Sequence, residues 1–167
     1  GAVSNVVNYN VNNNAYLQMA AATTTVNGGG SFTVTNGGKL GITSTAGITS
    51  SGATGNIRVT GTRTFNTGAD YEYNGASSQT SGNGLPVTVR NLTINNSAGV
   101  SLSNSVTAST ELILSTGNVT TGGNTLTLGT STSSTGTLTR TSGHIIGNFT
   151  RWMASSTASN ILFPLGT

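Results

Sequence analysis

Hydrophobic residues along this chain come in short alternating runs, set between stretches of glycine, asparagine and hydroxyl residues. The runs are "SFTVT" (31–35), "NIRVT" (56–60), "DYEYN" (70–74), "PVTVRNLTI" (86–94), "VSL" (100–102), "ELIL" (111–114), "TLTL" (125–128), "TLTRT" (137–141) and "HIIGNFTRW" (144–152). Alternation with a period of two predicts strands that bury one face. Between the runs lie "NGGG", "NGG", "TSSG", "NNSAG", "STG" and "TGGN". These predict tight turns, because Gly and Asn tolerate positive φ. Helix is nearly excluded, since Thr, Ser, Asn and Gly are mediocre to poor helix formers. Only "NAYLQMAAA" (Asn14–Ala22) could form a helical turn or two, and it reads equally well as a strand.

The runs repeat. Leu92 to Leu112 and Ile94 to Leu114 are both steps of 20, and Val106, Leu126 and Ile146 follow at the same step. So do Asn104, Asn124 and His144, while Val100 to Val119 and Leu40 to Val59 are steps of 19. A coil of about 20 residues with short strands and turns predicts a right-handed parallel β-solenoid whose rungs stack at about 4.8 Å. Roughly eight such rungs would make a rod about 35–40 Å long. An antiparallel β-sandwich is the alternative, because it also has short alternating strands with turns every 8–12 residues or so. The expected organisation is a single domain, with residues 1–30 as an N-terminal strand, cap or subunit-contact segment and 31–167 as the repeat region.

Composition fits a narrow coil. Leu, Ile, Val and Phe total 36 of 167 residues, just above the roughly 20% below which disorder is expected. Charged residues make up 5% of the chain. In a solenoid like stacks on like. Stacked charges repel, whereas stacked Thr, Ser and Asn can hydrogen-bond along the ladder. The net charge is +3, but the six basic residues are scattered singly, so no basic stripe predicts nucleic-acid binding. The absence of cysteine removes disulfides, thiolate metal sites and cysteine nucleophiles. No apolar run is long enough for a membrane-spanning helix, and no signal peptide is visible.

The segment 56–129, with "YNGASSQTSGNGLPVTVRNLTINNSAGVSL" followed by "TGNVTTGGNTLTLG", resembles the repeat-rich secreted surface proteins of Bacteroidota and related phyla. The closing "TRTSGHIIGNFTRW" and "NILFPLGT" (139–167) resemble the segment that follows in those proteins. The resemblance covers about two-thirds of the chain. It implies export to the cell surface or beyond, often by type IX secretion, and a β-solenoid role in adhesins, sheaths or filaments. Exported members usually end in a sorting domain, which is not recognisable here.

Candidate chemistry is sparse. Asp70 and Glu72 share one face of a predicted strand, with Tyr71 and Tyr73 on the other. Two close carboxylates are what glycoside hydrolysis requires. Rungs 20 residues away offer only Arg90 as a charged neighbour, so an exposed solubilising pair is expected instead. Glu111 lies one step from Asn91, beside Arg90, and predicts a contact between rungs. His144 tops the Asn104–Asn124 column with no second ligand at metal spacing. The glycine clusters lack the lysine, hydroxyl and helix of a phosphate loop. Tyr71, Tyr73, Phe149 and Trp152 read as packing residues. No catalytic, cofactor or metal residue is therefore assigned, and no enzyme is expected.

The function expected is structural: a subunit or segment of an extracellular filament, sheath or adhesin. Self-association is expected through the alternating "AVSNVVNYNV" (2–11) and the apolar "NILFPL" (160–165). The alternative is a carbohydrate-binding module that engages surface glycans. Ice binding needs hydroxyl pairs in register on one flat face. "TVT" (33–35), "TRT" (62–64), "TLT" (125–127) and "TLTRT" (137–141) supply pairs, but at steps other than 20, which argues against it.

Overall fold

The computed structural model describes residues 6–156 and 160–166, and no helix occurs among them. The strands run β1 (Tyr9–Val11), β2 (Tyr16–Gln18), β3 (Phe32–Val34), β4 (Lys39–Ile42), β5 (Arg63–Phe65), β6 (Asp70–Tyr73) and β7 (Gln79–Thr80). They continue with β8 (Thr88–Asn95), β9 (Val100–Ser101), β10 (Val106–Thr116), β11 (Val119–Leu128), β12 (Thr137–Arg140) and β13 (Ile145–Arg151). All pairings between these strands are parallel. The chain is a parallel β-solenoid, and the antiparallel sandwich is excluded.

Each turn of the coil visits three stacks. The longest runs β2, β4, β6, β8, the second half of β10, and β12. The strand position before it in each turn holds β1, β3 and β5, then the starts of β8 and β10 and the ends of β11 and β13. The third stack holds β7, β9 and the starts of β11 and β13. β10 and β11 thus bend round a corner and serve two stacks each. β10 does so with a register break after Ala108, β11 with one between Thr120 and Thr125.

The turns are fewer and less regular than eight rungs of 20. Six strands make the longest stack, which spans roughly 24 Å at the usual strand spacing. Along it, Tyr16 pairs with Lys39, Lys39 with Asp70, Asp70 with Asn91, Asn91 with Glu111 and Glu111 with Thr137. The steps are 23, 31, 21, 20 and 26 residues. Leu40 therefore meets Tyr71 and not Val59, and Ile146 lies on Thr120 while Phe149 takes the place on Leu126. The expected Leu92/Leu112, Ile94/Leu114, Val106/Leu126 and Val100/Val119 pairs are all present.

These registers explain the core. Leu17, Leu40, Tyr71, Leu92, Leu112 and Leu138 form one inward column, and Ile42, Tyr73, Ile94 and Leu114 form another. All are buried except Leu17 and Leu138 in the end rungs, which are partly covered. Each fully buried aliphatic side chain contributes roughly 1.5–3 kcal/mol, so a few residues per rung hold the coil. Asn14–Ala22 forms β2 and a turn, with no helix.

The 31-residue turn carries extra chain over 44–61, which adds Ile48, Ile57 and Val59 to the core and is held by buried amides. Asn56, fully buried, accepts from the Thr43 and Ser44 backbone N–H groups at 3.0 and 2.8 Å and donates to Ala21 O and Thr24 O at 3.1 and 2.8 Å. Gln79 donates to Ile42 O and Ser44 O at 2.9 and 3.0 Å, and its Oε1 accepts from Gly75 N and Asn96 Nδ2. Backbone groups that a longer turn leaves without ladder partners are satisfied this way.

Candidate functional site

The two carboxylates of β6 do share a face, with Tyr71 and Tyr73 fully buried on the other. They are not an exposed pair. Arg90 holds Asp70 in a two-pronged contact, Nε to Oδ1 and Nη2 to Oδ2, each 2.7 Å. Glu72, 8% exposed, takes Lys39 Nζ at 2.6 Å and the Tyr16 hydroxyl at 3.1 Å. The Lys39 ammonium also lies 4.6 Å from the centre of the Tyr16 ring. A 20-residue step back from β6 lands on Ser50–Gly52. The 31-residue turn puts Lys39–Gly41 there instead, which is why these partners are invisible to a fixed period.

The electrostatics follow from this packing. Burial, then the charge and hydrogen bond of Glu72, push the Tyr16 phenol up to about 12. Burial and then Asp70 push Tyr71 up, and burial and then Tyr71 push Tyr73 well up. The hydrogen bonds that Arg90 donates to Asp70 raise its pKa from the ordinary value. Tyr71 donates to Asn66 O at 2.8 Å and Tyr73 to Ser81 O at 2.6 Å. The cluster thus joins four successive rungs through balanced charges, with each carboxylate already engaged by a cation.

Glu111 does sit over Asn91, but Arg90 faces Asp70, and Glu111 Oε1 accepts from Thr139 Oγ1 at 2.6 Å. His144 leaves the Asn104–Asn124 column. Its backbone N–H donates to Asn118 Oδ1 at 2.9 Å, and its Nε2 lies 3.2 Å from Arg140 Nη2. Among the described residues no three His, Cys, Asp or Glu side chains cluster as a metal site.

One feature escaped sequence reasoning, and a second was expected only in part, from the 2–11 and 160–165 segments. The first lies under the 44–61 excursion. Arg63 donates to Val59 O, Thr49 O, Thr49 Oγ1 and Gly52 O with no acid beside it, and burial lowers its pKa from the ordinary value. Arg58 spends only Nε, on Gly55 O at 2.9 Å, and both arginines line a groove of about 520 Å³. The second is the distribution of exposed apolar side chains. Val6, Val7 and Tyr16 lie at one end of the coil, and Trp152, Met153, Leu162, Phe163 and Leu165 at the other. Val87 alone among the described exposed large hydrophobics lies elsewhere.

The N-terminal rung carries an open apolar groove of about 420 Å³ lined by Tyr9, Val11, Tyr16, Leu17, Val26 and Phe32. Among the described residues, β1 pairs only with β3 and β2 only with β4, so each keeps one edge open. At the far end, β12 pairs only with β10. There Phe163 meets Phe149 edge to face at 6.0 Å, and Leu165 bridges to Ile145.

Comparison with family models, curated proteins and solved structures gives no match. No helix among the described residues is long and apolar enough to cross a membrane.

Proposed function

We propose that the chain is a structural β-solenoid unit of an extracellular, cell-surface filament, sheath or adhesin, and that it self-associates by stacking end rung on end rung. One observation carries the reading: exposed apolar side chains are concentrated at the two ends of the coil, beside open strand edges. An unpaired edge over apolar side chains is a template for a further strand. Solenoids kept separate cover their terminal repeats with a polar face. Two different ends that complement each other give head-to-tail growth, which does not close. Low charge and an apolar core without cysteine suit a passive rod, and the resemblance to secreted Bacteroidota surface proteins favours the cell exterior.

Sedimentation and negative-stain microscopy test this. The intact chain should form concentration-dependent rods. Removal of 1–11 or 160–167 should leave monomers, and the milder V7K and L165K should do so with unchanged far-UV circular dichroism. An intact chain that stays monomeric at high concentration contradicts self-association.

A carbohydrate-binding reading is favoured by the groove under the 44–61 excursion. Its volume is in the range of small-ligand sites, and Arg58 offers an open guanidinium fork beside Asn27, Ser51 and Thr60. A fork of that kind suits a carboxylate. Titration with oligogalacturonate, and its loss in R58Q, tests it.

A further inference from the structure

Four asparagines in the chain are followed directly by glycine: Asn27–Gly28, Asn36–Gly37, Asn74–Gly75 and Asn83–Gly84. Asparagine is a thermolabile residue, and a following glycine, which has no Cβ, leaves its own nitrogen unobstructed. That nitrogen can attack the asparagine side chain if it is free to lose its proton and to approach Cγ. The fold withholds this freedom at three of the four sites. Gly37 N–H donates to Gly68 O at 3.0 Å, Gly75 N–H to Gln79 Oε1 at 2.9 Å and Gly84 N–H to Ile48 O at 2.8 Å. Space is short there as well. A Cβ at Gly37 would lie 1.9 Å from Asn13 Oδ1, at Gly75 2.8 Å from Thr43 O, and at Gly84 2.8 Å from Ser50 N.

Asn27–Gly28 differs in each respect. Both residues are exposed. The groups around them are tied down: Val26 N donates to Asn56 O, the Tyr9 hydroxyl to Asn27 O, and Thr60 N to Gly28 O. The Gly28 N–H itself has no acceptor among the described residues. Asn27 Nδ2 donates to Thr25 Oγ1 at 2.6 Å, a local contact that water can replace at an exposed residue. There is room for a ring to close, since a Cβ at Gly28 would meet nothing nearer than the Tyr9 hydroxyl oxygen at 4.0 Å. Asn27 also lines the groove of about 520 Å³ that Arg58 and Arg63 share, and no acid lines it. The acids of the chain are engaged elsewhere: Asp70 by Arg90, Glu72 by Lys39 and Glu111 by Thr139.

We propose that Asn27 is a self-modification site whose product places a carboxylate on the wall of the arginine groove. The Gly28 amide proton goes to solvent base, and the nitrogen forms a bond to Asn27 Cγ. The Cγ–Nδ2 bond breaks, ammonia leaves and a cyclic imide remains. One water opens the ring at either carbonyl. The product is aspartate, or isoaspartate with the chain rerouted through the side-chain carbon. Either form brings a negative charge into a groove whose guanidinium groups have no acid partner. An acid there competes with an anionic ligand for the open fork of Arg58. That consequence rests on the carbohydrate-binding reading of the groove, whereas the conversion itself does not.

In the test, the dilute full chain is kept at mildly alkaline pH in heavy-oxygen water, folded and in urea. Peptide mapping by mass spectrometry follows each asparagine. In urea all four should convert and take up the label. In the folded chain Asn27 should convert at close to its unfolded rate. Asn36, Asn74 and Asn83 should be at least about tenfold slower, because an N–H freed only by local opening reacts in proportion to the open fraction. N27Q should abolish the leading conversion with an unchanged circular dichroism spectrum. Equal conversion at all four sites of the folded chain would overturn the proposal, as would an Asn27 that stays intact or lags behind another site. Oligogalacturonate titration then reads the groove. Fresh chain and N27Q should bind, while aged chain and N27D should not. Binding that survives in N27D but is lost in R58Q would overturn the placing of the new charge. If fresh chain does not bind at all, the carbohydrate reading falls and the peptide map alone decides the modification.

Discussion

The early turns and the later ones are built from the same strands but are held differently. From Asp70 to Glu111 the coil steps 21 and 20 residues, and aliphatic side chains repeat in column: Leu92 on Leu112, Ile94 on Leu114, Val106 on Leu126. From Tyr16 to Asp70 the steps are 23 and 31, and larger rings and buried amides take over: Phe32, Tyr71, Tyr73, Asn56 and Gln79. A regular turn needs only its ladder and its column. An enlarged turn leaves backbone groups off the ladder, and polar side chains must reach in to satisfy them. Stacking fixes register, while the length between stacked strands is free to vary.

The sharpest test of that difference is on the residue that joins the two regions. Tyr73 stacks on Ile42 below and Ile94 above and is fully buried. Y73A should cost about 3–5 kcal/mol in urea unfolding. L112A, in the regular region, should cost about 2–5 kcal/mol. Next is N56A, which leaves two N–H and two C=O groups without their partner. The expected loss is about 2–3 kcal/mol, with amide exchange rising first at Thr43 and Ser44. A loss below the ordinary surface level would mean that the excursion does not depend on its staple.

Gly117 makes the same point at a regular turn. Its φ is +79°, and a Cβ there would come 1.7 Å from Asn96 O. G117A should cost at least about 2 kcal/mol, because the tight turn has no space to give. Alkaline pH probes the early turns and their border. The folded phenols of Tyr16, Tyr71 and Tyr73 have raised pKa values, from an ordinary 10.0 to about 12 for Tyr16. The unfolded chain then loses protons first, so this stability is complete below pH 10.0 and is lost as the pH climbs toward 12 and beyond. A thermal midpoint that falls steeply above pH 10 is expected, with Y16F flattening the first part of the fall. The smallest effect belongs to R90A. Its pair with Asp70 is partly exposed, so the loss should be under about 1 kcal/mol and shrink with salt.

Much of the later coil was legible because its period is nearly constant. Leu92/Leu112 and Val106/Leu126 follow from counting alone. The count fails at Ile146 because residues 129–136 add a small loop, closed by Thr130 N to Ser134 O at 2.8 Å, and Phe149 arrives where Ile146 was expected. It fails earlier because 44–61 lengthens the turn, and "NIRVT" buries Ile57 and Val59 but forms only an isolated bridge from Ile57 to Val26. Strands β1, β2, β4, β5 and β7 are two to four residues long, too short to show alternation. Arg90 falls one 20-residue step from Asp70 and so was in view as its neighbour, whereas the Lys39–Glu72 pair depends on register across the 31-residue turn. Asn56 carried a weak signal as an asparagine heading an apolar run, but nothing in the chain says which backbone groups it will meet.

We propose that the end rungs are the surfaces that meet other rungs. Hydrogen exchange of the intact chain at low and high concentration tests it most directly. Amides of β1 and β2 at one end, and of β12 at the other, should become protected as concentration rises, while β8 and β10 stay protected throughout. End-rung exchange that does not change with concentration, in a chain whose middle strands are protected, would contradict the claim.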